Sequence, residues 1–300
     1  MRTEHLGTLA PRDDRRAGAI LGLAVGDALG APYEFRTARE VPEGPLEMVG
    51  GGWLQLEPGE TTDDTALARA VLEGYETGSL DLRRVRDAML RWQESDPVDI
   101  GGQTAIALDQ LRSDPGRLSL PEQPAAQGNG AVMRAASHGV MARSFEEALD
   151  NAWAEAALTH PSETARATGA LVAGVTARLV EGEEPEEAVG AALSAIGDRL
   201  MPGTDPREVF PMEIEDVLES YPDDKDRWGW TVHTTRLGVG FLLRVPDFRS
   251  GVEGVVRLGG DADTNGAVAG ALLGSRLGVG GIPPEWLRDL RGKEGLLGLL

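Results

Sequence analysis

The sequence predicts an all-α, single-domain, compact multi-helix bundle. Three observations predict it. Apolar residues recur at intervals of three and four through most of the 300 residues, the period of helices with one buried face. Runs that alternate apolar and polar residues are scarce. Aromatic residues make up only 5% while glycine occurs 40 times, which suits helices that approach closely rather than an interior of large aromatic plugs. With 41% hydrophobic residues the chain can bury a sizeable core, and no serine- or proline-rich linker divides it. The expected organisation is a flexible N-terminal tail over 1–12 and one domain over 13–300.

Taken in order, the elements have local reasons. Asp13 or Asp14 is expected to cap a helix through "RRAGAILGLAVGDALGA", where Gly22, Gly26 and Gly30 share one face. Pro32 to Glu60 holds four prolines and no helical period, so it reads as a long loop, with a short strand at "GGWLQLE". Helical periodicity then predicts helices over 64–77, 81–94, 102–112, 130–142, 145–158, 162–181 and 185–199. Residues 201–230 are irregular, with a short helix near 208–219. Helices over 231–243, 248–258, 264–277 and 284–290 complete the chain. Gly266, Gly270, Gly274 and Gly278 form a second stripe at four-residue spacing, which requires a close neighbour.

Charge and composition exclude several functions. The net charge is −20, so the average field repels nucleic acid and anionic membrane surfaces, and neither is expected as a partner. Lys225 and Lys293 are the only lysines; the other cationic residues are arginine. Without cysteine there is no disulfide, thiolate metal site or cysteine nucleophile. The N-terminal residues lack the apolar core of a secretory signal, and no run of about eighteen apolar residues predicts a membrane span. A cytoplasmic protein is the expectation.

Two acidic knots carry the functional signal. "TTDDTALA" (61–68) places Asp63 and Asp64 at a helix start behind Thr62, and "LGGDADTNGAVAGALLG" (258–274) places Asp261 and Asp263 likewise, before Thr264. Each alone reads as an acidic helix cap. Together, on helices built for tight packing, they raise the expectation that four carboxylates meet. Such a cluster repels itself unless cations sit within it. Oxygen-only donors without histidine select hard divalent ions, Mg²⁺ or Mn²⁺, rather than zinc.

These segments, with "GAILGLAVGDALGAPYEF", "DIGGQT", "GNGAVMRAA", "LTHPSETARATGALVAG" and "HTTRLGVGFLL" in the same order, make residues 15–290 resemble the ADP-ribosylglycohydrolase family. The resemblance implies an all-α fold with a metal-lined cleft holding two divalent ions. Thr62, Asp63 and Asp64 would supply ligands from one side, and Asp261, Asp263 and Thr264 from the other. Glu34 and Asp99 would be the acid/base residues. Gly128, Asn129, Gly130 and Ala131 would lie against the diphosphate or adjacent ribose, with His160 as a phosphate contact. The implied activity is metal-dependent cleavage of the N- or O-glycosidic bond joining ADP-ribose to a protein side chain or small acceptor. The implied partner is ADP-ribose or an ADP-ribosylated protein. A non-catalytic ADP-ribose-binding module, or a hydrolase of another ribosyl compound, is the alternative. An isoprenoid-synthase-like enzyme fits less well, since aromatics are few and no DDxxD occurs.

Other residues carry weaker expectations. Asp27 is a candidate to orient a ligand. Arg134 either pairs with an interior acid or reaches substrate. The chain departs from the family pattern at Gly102, where asparagine is common after "DIG". No aromatic precedes "GNG", which leaves Tyr33, Phe35, Trp53, Trp228 and Trp230 as candidates to stack on adenine.

Overall fold

A computed structural model describes residues 9–197, 199–200, 215–221 and 225–300. The first helix, α1, runs Pro11–Gly30 behind Ala10. Proline suits the first helical position, where its missing N–H would be unpaired anyway. The helix therefore starts ahead of the expected Asp13 or Asp14 cap, and both aspartates fall in its first turn, at the positive end of the dipole. Of the expected tail, residues 1–8 lie outside the described residues, and Pro11 and Arg12 belong to α1.

The following helices are α2 (Asp63–Glu73), α3 (Leu82–Glu94), α4 (Gly102–Ser113), α5 (Ala136–Met141), α6 (Phe145–Ala156), α7 (Glu163–Glu181) and α8 (Pro185–Gly197). Then come α9 (Glu215–Ser220), α10 (Thr231–Arg244), α11 (Phe248–Val256), α12 (Ala262–Leu277), α13 (Pro284–Asp289) and α14 (Lys293–Leu297). Side-chain caps from Thr62, Asp81, Ser144, Ser162 and Asp247 start five of them, each accepting an N–H that the helix itself leaves unpaired. No strand forms among the described residues, and no described helix is long and apolar enough to cross a membrane.

Two expectations are corrected. "GGWLQLE" is a tight turn closed by a Gly51–Leu56 bridge, because Gly50, Gly51 and Gly52 all take left-handed φ. The helix expected over 130–142 is turns over 130–135, and only 136–141 is helical. There the Gly130 carbonyl accepts from the Arg134 guanidinium at 2.5 Å, a side-chain bond in place of a regular backbone ladder. Of the helix expected near 208–219, residues 208–214 lie outside the described residues, and α9 begins at Glu215.

The two glycine stripes pack on each other. α1 and α12 run antiparallel, with Gly18 against Gly274, Gly22 against Gly270, Gly26 against Gly266 and Gly30 against Ala262. A methyl at Gly22 or Gly26 would overlap a carbonyl of the facing helix. α12 is buried continuously from Ala262 to Ser275, so it is the axis on which the other helices pack. The seam brings the last turn of α1, with Asp27, beside the first turn of α12, with Asp263.

Candidate active site

Asp27 has no exposed surface and ties α2 to α1. It accepts from Thr62 N–H (3.0 Å) and Thr65 N–H (3.1 Å), and from the Thr65 hydroxyl at 2.5 Å. Thr62 Oγ1 also lies 3.0 Å from Asp27 and 3.2 Å from Asp64 Oδ2. From α12, the Thr264 hydroxyl donates to the same Asp64 oxygen at 3.2 Å, across 200 residues of chain. The two acidic knots thus touch.

Loops bring the remaining acids. The Asp261 carboxylate accepts from Asn129 Nδ2 at 2.6 Å, and its own N–H donates to the Tyr221 hydroxyl at 3.0 Å. Asp63 accepts from Gly101 N–H at 3.4 Å, which sets it beside the loop of Asp99. Glu34 is steered by Trp53, whose indole N–H donates to it at 2.6 Å. Phe35, at φ +60°, fixes that loop by donating its N–H to Gly260 O at 2.7 Å. Glu34, Asp99 and Asp263 each offer an oxygen within 4.8 Å of one another. The two acids expected to move protons therefore stand among those expected to bind metal.

The cluster is electrostatically costly. Burial, then the charge of Asp261, pushes Glu34 up to about 8, against the Trp53 hydrogen bond. Burial raises Asp27 to about 6 even though four hydrogen bonds favour its anion. Asp63, Asp64 and Asp263 are raised well above the usual carboxylate range by burial and then by neighbouring carboxylates, and Asp99 and Asp261 are raised chiefly by burial. Among the described residues, no arginine or lysine is a main cause of these shifts. Asp64 Oδ1 is buried with no hydrogen-bond partner among the described residues. An orphaned buried carboxylate oxygen amid all-oxygen donors fits a hard divalent cation.

A pH prediction arises here. These carboxylates bind protons more tightly folded than unfolded, so as pH rises the unfolded chain ionises first. Stability of the ion-free protein falls from about pH 4 towards about pH 8. Its Tm is expected to be about 5 °C lower at pH 8 than at pH 5. Mg²⁺ or Mn²⁺ should restore it at pH 8 and do little at pH 5, where protons occupy the acids. Thermal unfolding by circular dichroism checks this; a Tm that rises from pH 5 to pH 8 and ignores both ions would contradict it.

The Gly128–Ala131 turn flanks the acids. Asn129 holds it through N–H to Gly229 O (3.0 Å) and Nδ2 to Thr234 Oγ1 (3.0 Å), besides Asp261. His160 is buried beneath this turn, its Nδ1 2.8 Å from Thr159 Oγ1. A Cβ at Gly130 would sit 3.0 Å from His160 Nε2, so glycine admits the ring. Burial, then Arg134, lowers His160 to about 3, so it is neutral at neutral pH and no cation for a phosphate. Arg134 pairs with the interior acid Glu155 at 2.9 Å and is fully buried. Burial opposes ionisation of Glu155, but Arg134 and His138 hold it at about 2.

Of the aromatic candidates, Tyr33 and Trp228 are buried, and Trp230 is tied to Gln127 at 2.9 Å. Phe35 and Trp53 form an exposed pair, rings 5.5 Å apart, at the rim beside Glu34. Sequence reasoning did not single out Thr65 or Tyr221. Thr65 was visible as the last threonine of "TTDDT"; Tyr221 carried no signal, since no motif surrounds it in the sequence.

Comparison with known proteins shows the family and the fold. The model of the ADP-ribosylglycohydrolase family matches residues 8–300. The chain is 31% identical over 283 residues to the ADP-ribosyl-[dinitrogen reductase] glycohydrolase of Rhodospirillum rubrum, covering 92% of this chain and 90% of that one. It is 28% identical to the ADP-ribosylarginine hydrolase Tri1 of Serratia proteamaculans, over 94% of this chain and 76% of that one. A solved structure titled as an ADP-ribosylglycohydrolase-related protein complex superposes with a TM-score of 0.79 at 33% identity, covering 97% of both chains. The glycine seam, the joined acidic knots and these likenesses together place the chain in the ADP-ribosylglycohydrolase family.

Proposed function

We propose that this protein hydrolyses the N-glycosidic bond between ADP-ribose and an arginine side chain of a protein, using two divalent cations, Mg²⁺ or Mn²⁺. Thr62, Asp63, Asp64, Asp261, Asp263 and Thr264 would hold the ions. The observation that supports this reading is the joining of the two acidic knots around an orphaned Asp64 oxygen, with no arginine or lysine of the described residues among the main causes of their shifts. The arginine linkage is supported by the names of two relatives, the hydrolases Tri1 of Serratia proteamaculans and Pseudomonas putida, and by an anionic site suited to a guanidinium.

When bound, such ions would let the buried carboxylates stay ionised, hold ribose hydroxyls and make water more acidic. The chain's own residues do the rest. Anionic carboxylates around the ribose stabilise positive charge that develops at C1 as the C1–N bond breaks. The bonding pair leaves with the guanidino nitrogen, and water adds to C1. Glu34 and Asp99 handle the proton that passes from that water towards the departing guanidine. Trp53 holds one Glu34 oxygen in place for that task. The Gly128–Ala131 turn seats the diphosphate or adjacent ribose, with neutral His160 supporting the turn from below.

A panel of ADP-ribosylarginine, ADP-ribosylserine and O-acetyl-ADP-ribose tests this. Free ADP-ribose is expected from the arginine conjugate with Mg²⁺ or Mn²⁺ and to vanish on chelation. Release from another conjugate but not from arginine overturns the linkage. Binding without turnover of any favours a reader of ADP-ribose.

A further inference from the structure

A groove of about 600 Å³ opens from the acidic site between α2, the C-terminal half of α3 and the start of α14. Asp63 and Asp99 form its inner end. Its floor is one stripe of α2, where Ala66, Arg69, Ala70 and Glu73 recur at helical spacing. Trp92 and Val98 supply apolar walls, and Val98 is 69% exposed.

The charge along this groove changes sign. The end at Asp63 and Asp99 is anionic, and Asp96 also lines the groove. Farther out, Arg69 (3.2 Å) and Arg91 (2.9 Å) share a single carboxylate, Glu73. Two guanidiniums on one carboxylate leave a net positive charge, in a chain that carries −20 overall. Arg291, at the margin, is paired with Glu57 at 3.6 Å and adds no net charge. Glu60, Asp63, Asp96 and Asp99 keep the rest of the lining anionic, so the two guanidiniums on Glu73 are its cationic spot. From Asp63 to Arg69 is six residues of α2, about 9 Å at 1.5 Å per residue, which about three residues of extended peptide span.

We propose that this groove seats the acceptor polypeptide, with the modified side chain at Asp63 and Asp99 and an acidic residue about three positions away against Arg69 and Arg91. The proposal rests on the reading of the acidic site as an ADP-ribosyl hydrolase centre, and extends it to the partner's sequence. The groove supplies preference among acceptors, and the acidic site supplies the chemistry. Because the recognition is between exposed charges, it weakens as salt rises.

Its test uses the full chain and the double variant R69E/R91E. Two peptides carry one ADP-ribosylarginine each, flanked on both sides at the third position by Glu in one and by Lys in the other. The native chain is expected to show a KM about tenfold lower for the Glu peptide, shrinking at about 0.5 M salt. R69E/R91E should erase or invert that preference and leave turnover of free ADP-ribosylarginine unchanged, which also shows that the variant folds. Equal KM values for both peptides, unmoved by R69E/R91E, overturn the proposal. Binding of the unmodified Glu peptide, read by fluorescence anisotropy, separates this from the proposed activity. It should weaken about tenfold in R69E/R91E whatever the scissile linkage; equal binding by the two proteins overturns the groove assignment even where hydrolysis stands.

Discussion

Asp263→Asn is expected to lower turnover by a hundredfold to a thousandfold, roughly the loss for removing a directly acting polar group, while raising the Tm of the ion-free protein. The two effects separate a functional carboxylate from a structural cap. Asp263 is 2% exposed, and its proton affinity is raised by burial and then by Glu34, Asp261, Asp64 and Asp27. Asparagine keeps the shape and an oxygen but removes one negative charge from that group. Without cations the fold then loses a repulsion, worth about 3 °C in Tm near pH 8. The gain in Tm on adding Mg²⁺ or Mn²⁺ should shrink as well, since stabilisation by a ligand tracks its affinity. Thermal unfolding with and without each ion, beside ADP-ribose release, measures all three. A variant that is less stable and fully active would make Asp263 a helix cap and nothing more.

Gly26→Ala is expected to destabilise the fold by about 3 kcal/mol, near the upper end of overpacking penalties, and to lower Tm by about 10 °C. Helix propensity alone predicts the opposite sign, since alanine is better than glycine in a helix by about 1 kcal/mol. Close approach decides it. The added methyl would overlap the Gly266 carbonyl, and backbone on both sides leaves no flexible side chain to yield. α1 and α12 must separate, and Asp27 moves away from Asp263. Activity should therefore fall along with stability. Gly190→Ala in α8 is the control: nothing lies within 4 Å of its added Cβ, so it should stabilise slightly. Denaturant melts of both variants give the comparison; a Gly26→Ala chain as stable as the parent would show that the seam is looser than described.

Much of the fold was legible from local pattern. α3, α4, α6, α7, α8 and α10 lie within a few residues of the ranges that periodicity predicts, because a buried face and a cap are properties of neighbours in sequence. The turn over 130–135 was not legible. Its residues have helical spacing, but the Gly130 carbonyl is taken by a guanidinium whose other partners, Glu155 and Thr159, come from later in the chain. Arg134 shows the same limit. Residue type allowed it to pair inside or reach substrate, and only its complete burial beside Glu155 decided between them. Glu34 and Asp99 were expected as proton carriers from resemblance. That they stand within 4.8 Å of Asp263 depends on how two loops fold over the cluster.

By itself the sequence determined where most of the helices form, which faces are glycine, and that both acidic knots offer oxygen donors. These follow from interactions across four residues or from side-chain chemistry. Tertiary structure alone decided that the two glycine faces meet each other, that Thr264 reaches Asp64, and that the gathered acids hold their protons far above the usual range. The physical reason is desolvation: how strongly a carboxylate binds a proton or a cation depends on what surrounds it in space, and those neighbours come from chain 200 residues away.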